Sequence, residues 1–399
     1  MQRNNEKMAT TFFEIQDAVA YNIPVDSDSI FYVDLTPYRT DFTERELFLS
    51  LNINPSTQDC NEIGRGKKIF LSGYRGTGKT SELLKITKNI DETQCYFTVF
   101  VDIADEEMDT SNIDTVDILI LMLRKLLSKL EKKGADISNA TYIEDFYEWY
   151  KSTIIKESNT QLDASAEIKA GVDASASVLG KLLGIVANTS AKLQGSNQSK
   201  ETIRRVITNN YKMFSDRFNE LVNSVVTKLQ EHSDYKDILF IVDGFEKIGS
   251  LKDRKKILVD DSNRLTMLNT HMIITLPIEL FTYKNQLAQG AITMSFPIID
   301  LDTSGAKECF REFILKRVSQ GLFDDKAIDK LANEIAAISS KEELEIIDKI
   351  IKKQPIFEDE IFLSLKERNI IFEYGSDKMK INPIVLENRK LQSLLETYI

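Results

Sequence analysis

The strongest chemical signature in the chain is the run Gly73-Tyr74-Arg75-Gly76-Thr77-Gly78-Lys79-Thr80. Gly73, Gly76 and Gly78 let the backbone curl until several N–H groups face one anion. Lys79 adds an ammonium group suited to β- and γ-phosphates, and the Thr80 hydroxyl is suited to Mg²⁺. A second signature is Asp237-Ile238-Leu239-Phe240-Ile241-Val242-Asp243-Gly244-Phe245-Glu246, an apolar stretch closed by acids. A carboxylate there, at Asp243, holds the water shell of a hard cation and completes the neutralisation begun by Lys79. Glu246 is the nearby candidate for a water-activating base, since the position after Asp243 is Gly244. Thr275, late in the apolar stretch His271–Pro277, reads either as a polar sensor for attacking water or as a plain strand end.

These groups need elements to carry them. Lys68–Leu71 predicts a strand running into the glycine loop, and Thr80–Asn89 a helix whose positive N-terminus points at the same anion. Tyr96–Asp102 predicts a strand ending at an acid on the ligand-facing edge. It is expected between the strands that carry Lys79 and Asp243. His271–Pro277 and Ala291–Phe296 complete the expected parallel sheet. Helical spacing marks 114–131, with Leu119, Leu123, Leu126 and Leu130 on one face, then 141–156 and a single long helix over 199–231. Between the last two, residues 157–200 read as an insertion, a β-ribbon with a short apolar helix near 178–187. It serves a partner or stands as an excursion from the fold. Upstream, Tyr32, Tyr38 and Arg39 are placed either to stack on a base or to pack the domain edge.

The chain has 399 residues, a formal charge of −11 and 42 % hydrophobic residues, enough for two or three packed units. Its longest apolar run, Ile118–Leu123, is too short to cross a bilayer. The polar start Met1-Gln2-Arg3-Asn4-Asn5 leads into no signal-like core. Cys60, Cys95 and Cys309 are scattered without metal-ligand spacing, which predicts a reducing, cytoplasmic setting. His232 and His271 read as structural. The net charge argues against a general nucleic-acid binder. Towards the C-terminus, 305–339 reads as helical, 341–353 and 358–368 as two more helices, and 370–374 with 378–382 as a hairpin. That order predicts a winged helix. From Lys341 to Ile399 there are ten basic and twelve acidic residues, and the would-be recognition helix opens Glu358-Asp359-Glu360. Phosphates repel such a helix, so nucleic acid is an unlikely partner.

Taken in order, these motifs resemble the origin-recognition and STAND branch of AAA+-type ATPases. More narrowly, they resemble the bacterial members found in antiphage-defence loci. The pieces that carry the likeness are Val33-Asp34-Leu35-Thr36, Gly73–Thr80, Val242-Asp243-Gly244-Phe245-Glu246-Lys247-Ile248 and Ile274-Thr275-Leu276-Pro277. The likeness implies an α/β P-loop NTPase fold: a three-layer α/β/α sandwich of the additional-strand type, a helical lid and a C-terminal winged helix. The implied division is an N-terminal segment at 1–60, an ATPase core at 61–300, a lid at 301–340 and a winged helix at 341–399. The implied ligands are ATP and Mg²⁺, adenine being favoured because no guanine-reading Asn/Thr-Lys-x-Asp motif occurs. The implied activity is a nucleotide-controlled switch that assembles with itself or with a protein effector, without a membrane. Gly244 departs from the usual position of the catalytic acid. If Glu246 cannot reach, the expectation becomes a slow switch or a non-hydrolysing scaffold. Arg311 and Arg317 are candidates for a lid arginine, and Arg254 and Arg264 for fingers reaching a neighbour's site.

Overall fold

The structure is a computed structural model. It describes residues 7–11, 14, 18, 24–39, 44–61, 64, 66–104, 108–134, 141–157, 177–195, 197–297, 299 and 303–322, with two short strands at 371–373 and 379–381. The helices expected at 341–353 and 358–368 and most of the expected lid lie outside the described residues, as does 158–176 of the expected insertion.

The chain is α/β, built on one five-stranded parallel sheet. Its strands are β1 (Lys68–Gly73), β2 (Tyr96–Asp102), β3 (Asp237–Asp243), β4 (His271–Pro277) and β5 (Ile292–Phe296), in the order β2-β3-β4-β1-β5. The central strands are buried on both faces and read as continuous apolar runs. The two-residue alternation sorts them into two cores. Phe70, Phe97, Val99, Phe240 and Ile274 face one, and Ile69, Leu71, Leu239, Ile241 and Ile273 the other.

The second core is closed by α1 (Glu44–Ser50) and α2 (Lys79–Glu92), through Leu47, Phe48, Leu83, Ile86 and Ile90. The first is closed by α3 (Thr115–Lys133), α4 (Thr141–Trp149), α5 (Val178–Leu193), α6 (Asn197–Asn209) and α7 (Tyr211–His232). Helices on both faces make an arrangement compatible with a three-layer sandwich. A capping box starts α3: the Asp114 side chain accepts from Val116 N, and Asp117 Oδ2 accepts from Asp114 N at 3.0 Å.

Several expectations need correction. Tyr96–Asp102 is an edge strand, beyond the strand carrying Asp243. The strand between the Lys79 and Asp243 strands is His271–Pro277. Sequence order cannot reveal this, because parallel crossovers allow any neighbour. The single helix expected over 199–231 is two, with Asn210 leaving helical backbone between them (φ −103°, ψ 19°). The apolar piece at 178–187 belongs to the sixteen-residue α5, whose Leu179, Leu182 and Val186 are core residues packed against α3. That part of the expected insertion is structural.

Cys60 and Cys95 form a disulfide, and Cys309 is the remaining free cysteine. Their sequence separation of 35 gives no hint of this pairing. Disulfides are uncommon in a reducing cytosol, which the cytoplasmic expectation has to accommodate. Among the described residues no helix is long and apolar enough to cross a membrane. Beyond the sheet, Ala306–Leu315 forms α-helix rather than the longer run expected from 305, and Ile371–Glu373 pairs antiparallel with Met379–Ile381 as the hairpin pattern predicts.

Candidate functional site

The candidate residues gather at the C-terminal edge of the sheet, where β1, β3 and β4 end side by side. Gly73 closes β1 in register with Pro277, and a side chain there would meet Phe296 O at 2.5 Å, so only glycine fits. Gly76 and Gly78 take φ of 81° and 84°, the left-handed backbone that lets the loop turn into α2. Arg75, Gly76 and Gly78 are exposed, whereas Tyr74 is buried; Thr77 Oγ1 donates to Tyr74 O at 2.9 Å and fixes the bend. Lys79 lies under this loop with 5 % exposure, donating through Nζ to Gly73 O (3.0 Å) and Tyr74 O (2.5 Å). Burial lowers its pKa, while Glu246, Asp243 and Glu279 act to hold the proton.

Thr80, on the first turn of α2, donates through Oγ1 to Asp243 Oδ2 at 2.6 Å across 163 residues of sequence. The two side chains expected to share a cation are therefore in contact. Asp243 is fully buried, and its Oδ1 has no hydrogen-bond partner among the described residues. The same holds for Glu246 Oε2 and Thr275 Oγ1. Leaving a buried polar atom unmatched costs on the order of 1–3 kcal/mol. Three such oxygens beside a buried ammonium group mark a place organised for something other than the fold. Thr275 itself lies in β4 in register with Leu71, fully buried.

Gly244 explains how Glu246 can stand in for an acid missing from the next position. Its φ is +98°, and a Cβ there would lie 2.9 Å from Asp102 Oδ1. The edge acid Asp102 is itself fixed by Ala104 N at 2.9 Å and lies 3.8 Å from Lys247 Nζ. The left-handed step begins the tight turn Phe245–Lys247, which brings Glu246 back toward Lys79 and Asp243. Burial raises the Glu246 pKa, Asp243 raises it further, and Lys79 opposes both.

Arg39 does not present a free face for stacking. Its Nη2 donates to Thr77 O at 2.6 Å and its Nη1 to Pro297 O at 2.7 Å, with the guanidinium 4.1 Å from the Phe296 ring centre. Burial pulls its pKa down to about 10. It straps the glycine loop to the end of β5. Tyr38 meets Gly305 at the start of Ala306–Leu315, and Lys316 Nζ donates to Tyr32 O at 2.7 Å. The segment through Tyr32, Tyr38 and Arg39 thus bridges the loop and that helix, a role that sequence alone does not reveal.

The arginines proposed as fingers are engaged within their own chain. Arg254 is paired with Glu279 at 2.5 Å, and Arg264 lies 3.7 Å from Asp261 and over the Tyr211 ring. Arg317 is buried over the Phe313 ring, at 3.6 Å, away from the loop's carbonyls. Glu279 is the site residue that the sequence reading missed. Its only signal is its place two residues beyond Pro277, the register partner of Gly73.

Among the described residues no three His, Cys, Asp or Glu side chains converge as a metal cage. The Thr80–Asp243 pair, with one carboxylate oxygen unmatched, suits a hard cation that takes one or two protein oxygens and its remaining ligands from phosphate and water. Compared with known proteins, the chain matches no protein-family model and none of the curated proteins.

Proposed function

We propose that this protein binds Mg²⁺ and ATP at the Gly73–Thr80 loop and hydrolyses ATP slowly, as a nucleotide-controlled switch. On this reading the fold is a P-loop NTPase of the additional-strand type, with a lid and a C-terminal winged helix. The observation that carries it is the contact between Thr80 and Asp243 beside the buried Lys79. The loop amides and the dipole of α2 would hold the phosphates, with Lys79 leaving its two loop carbonyls to meet them. Thr80 and Asp243 would hold the cation. When bound, Mg²⁺ bridges and neutralises phosphate oxygens, and the triphosphate supplies the bond to be cleaved. Glu246 would take a proton from water through its unmatched Oε2, and Thr275 would orient that water. A raised Glu246 pKa keeps part of the population protonated near neutrality, which suits slow turnover.

The sequence likeness suggests that the two nucleotide states control self-association or docking of a protein effector, plausibly in the cytoplasm and in defence against phage. The acidic charge favours a protein partner over nucleic acid. The test is Mg·ATP binding, phosphate release and mass in solution for the native protein, Lys79→Ala and Glu246→Gln. ATP binding lost in Lys79→Ala, with phosphate release lost in Glu246→Gln, supports the reading. Release equal to buffer in all three, while ATP still raises the melting temperature, replaces the switch with a non-hydrolysing scaffold. Failure of labelled ATP to bind the native protein ends both.

A further inference from the structure

One charged pair at the site has no part in the proposal above. Arg254 lies on the short helix Leu251–Lys255, just after the turn that carries Glu246. Its Nη1 is 2.5 Å from Glu279 Oε1 and 3.5 Å from the carbonyl oxygen of Glu246. Both side chains are largely buried, at 19 % and 11 % exposure. Glu279 approaches from the opposite side, two residues past Pro277 and so next to the start of the glycine loop. With Glu246 and Asp243, it is one of three carboxylates that favour the charged form of Lys79. One guanidinium therefore spans the gap between the end of β4 and the turn of the candidate base, beside the candidate phosphate cation.

A guanidinium binds phosphate oxygens at least as well as a carboxylate, through the same planar fork. A terminal phosphate entering beside Lys79 would bring negative charge against Glu279 and offer Arg254 a competing acceptor. A nucleotide one phosphate shorter would offer neither. Resting on the nucleotide reading of the site, we propose that Arg254 is the group by which this chain tells a nucleoside triphosphate from a diphosphate, held by Glu279 until a terminal phosphate takes it over. Because Arg254 belongs to the helix after Glu246, its transfer would also move that helix with the nucleotide state. A purely structural ion pair behaves differently: it stabilises every state alike and leaves nucleotide preference untouched.

The experiment is equilibrium binding of Mg·ATP and Mg·ADP to the full chain, compared across the native protein, Arg254→Ala, Glu279→Gln and the double variant Arg254→Met with Glu279→Gln. The native protein should prefer ATP. Arg254→Ala should weaken ATP binding by about ten- to a hundredfold, the usual worth of a charged hydrogen bond, with ADP binding unchanged. Glu279→Gln should tighten ATP binding and leave ADP alone. The double variant leaves no unpaired carboxylate, so it serves if Arg254→Ala fails to fold, and it too should lose the preference. A native ATP-to-ADP ratio retained in a folded variant lacking Arg254 overturns the inference alone. Absence of binding of either nucleotide to the native protein overturns the reading of the site and this inference together.

Discussion

Two buried lysines stand at opposite ends of one strand, and their surroundings differ in kind. Lys68 opens β1 at 4 % exposure, with Nζ donating to the carbonyl oxygens of Gly66 (3.1 Å), Leu268 (3.0 Å) and Thr270 (2.5 Å). All three of its donor positions are spent on backbone, and burial alone pulls its pKa down to about 7. Lys79 follows β1 at 5 % exposure with two backbone acceptors, and three carboxylates act on its charge. The first ammonium group stitches β1 to the chain entering β4. The second is one partner short, amid acids whose own oxygens are unmatched. Burial of charge by itself says little about function. What separates these two ends is whether the buried groups satisfy one another.

The sharpest way to break the comparison is at the acids. Glu246→Gln should lower ATP turnover by about 10²–10⁴-fold while ATP binding persists, checked by phosphate release against equilibrium binding. The native turnover should fall on the acid side at a pH above the ordinary carboxylate range. The base works only when ionised, and burial has raised the pKa through which it loses its charge. Glu246→Gln should abolish that limb.

Exchanging the two lysines comes next. Lys79→Ala should weaken ATP binding by about a hundredfold or more, since a charged partner of the phosphates is gone, with little loss of melting temperature. Lys68→Ala should do the reverse. Nucleotide affinity should hold, while unfolding free energy falls by about 1–3 kcal/mol as buried carbonyls lose their donor, read by denaturant titration.

Gly244→Ala should cost about 1–2 kcal/mol from its left-handed backbone, and the approach of Asp102 should displace the Glu246 turn. Turnover should drop more than ATP affinity does. The smallest effect concerns pH. Because the folded pKa of Lys68 is lowered to about 7 from 10.5, the unfolded chain binds more protons between those values, so stability should rise with pH across that window. Lys68→Met should flatten that rise in thermal melts taken at several pH values.

Much of the sheet could be read from sequence, because a strand buried on both faces announces itself as an uninterrupted apolar run. Tyr96–Asp102 and His271–Pro277 have the expected bounds, and Asp237–Asp243 ends at the expected acid. The order of those strands could not be read, since it depends on which faces pack after the chain has crossed over. Helices were legible by period but not by continuity. Nothing in the apolar spacing of 199–231 marks the break at Asn210. In the site, Lys79, Thr80, Asp243 and Glu246 were legible because motif spacing ties each residue type to a chemical task. Glu279, Arg254 and the strap made by Arg39 were not, because their partners come from distant segments.

Sequence by itself determined the glycine loop, the acids that close β3 and the apolar runs that must become buried strands. These are local matters: allowed backbone angles, residue chemistry and period. Only the tertiary structure decided that Thr80 meets Asp243, that Gly244 turns Glu246 back toward Lys79, and that Cys60 finds Cys95. Those outcomes depend on strand order and on the packing of two cores against one sheet, which no stretch of a few residues contains.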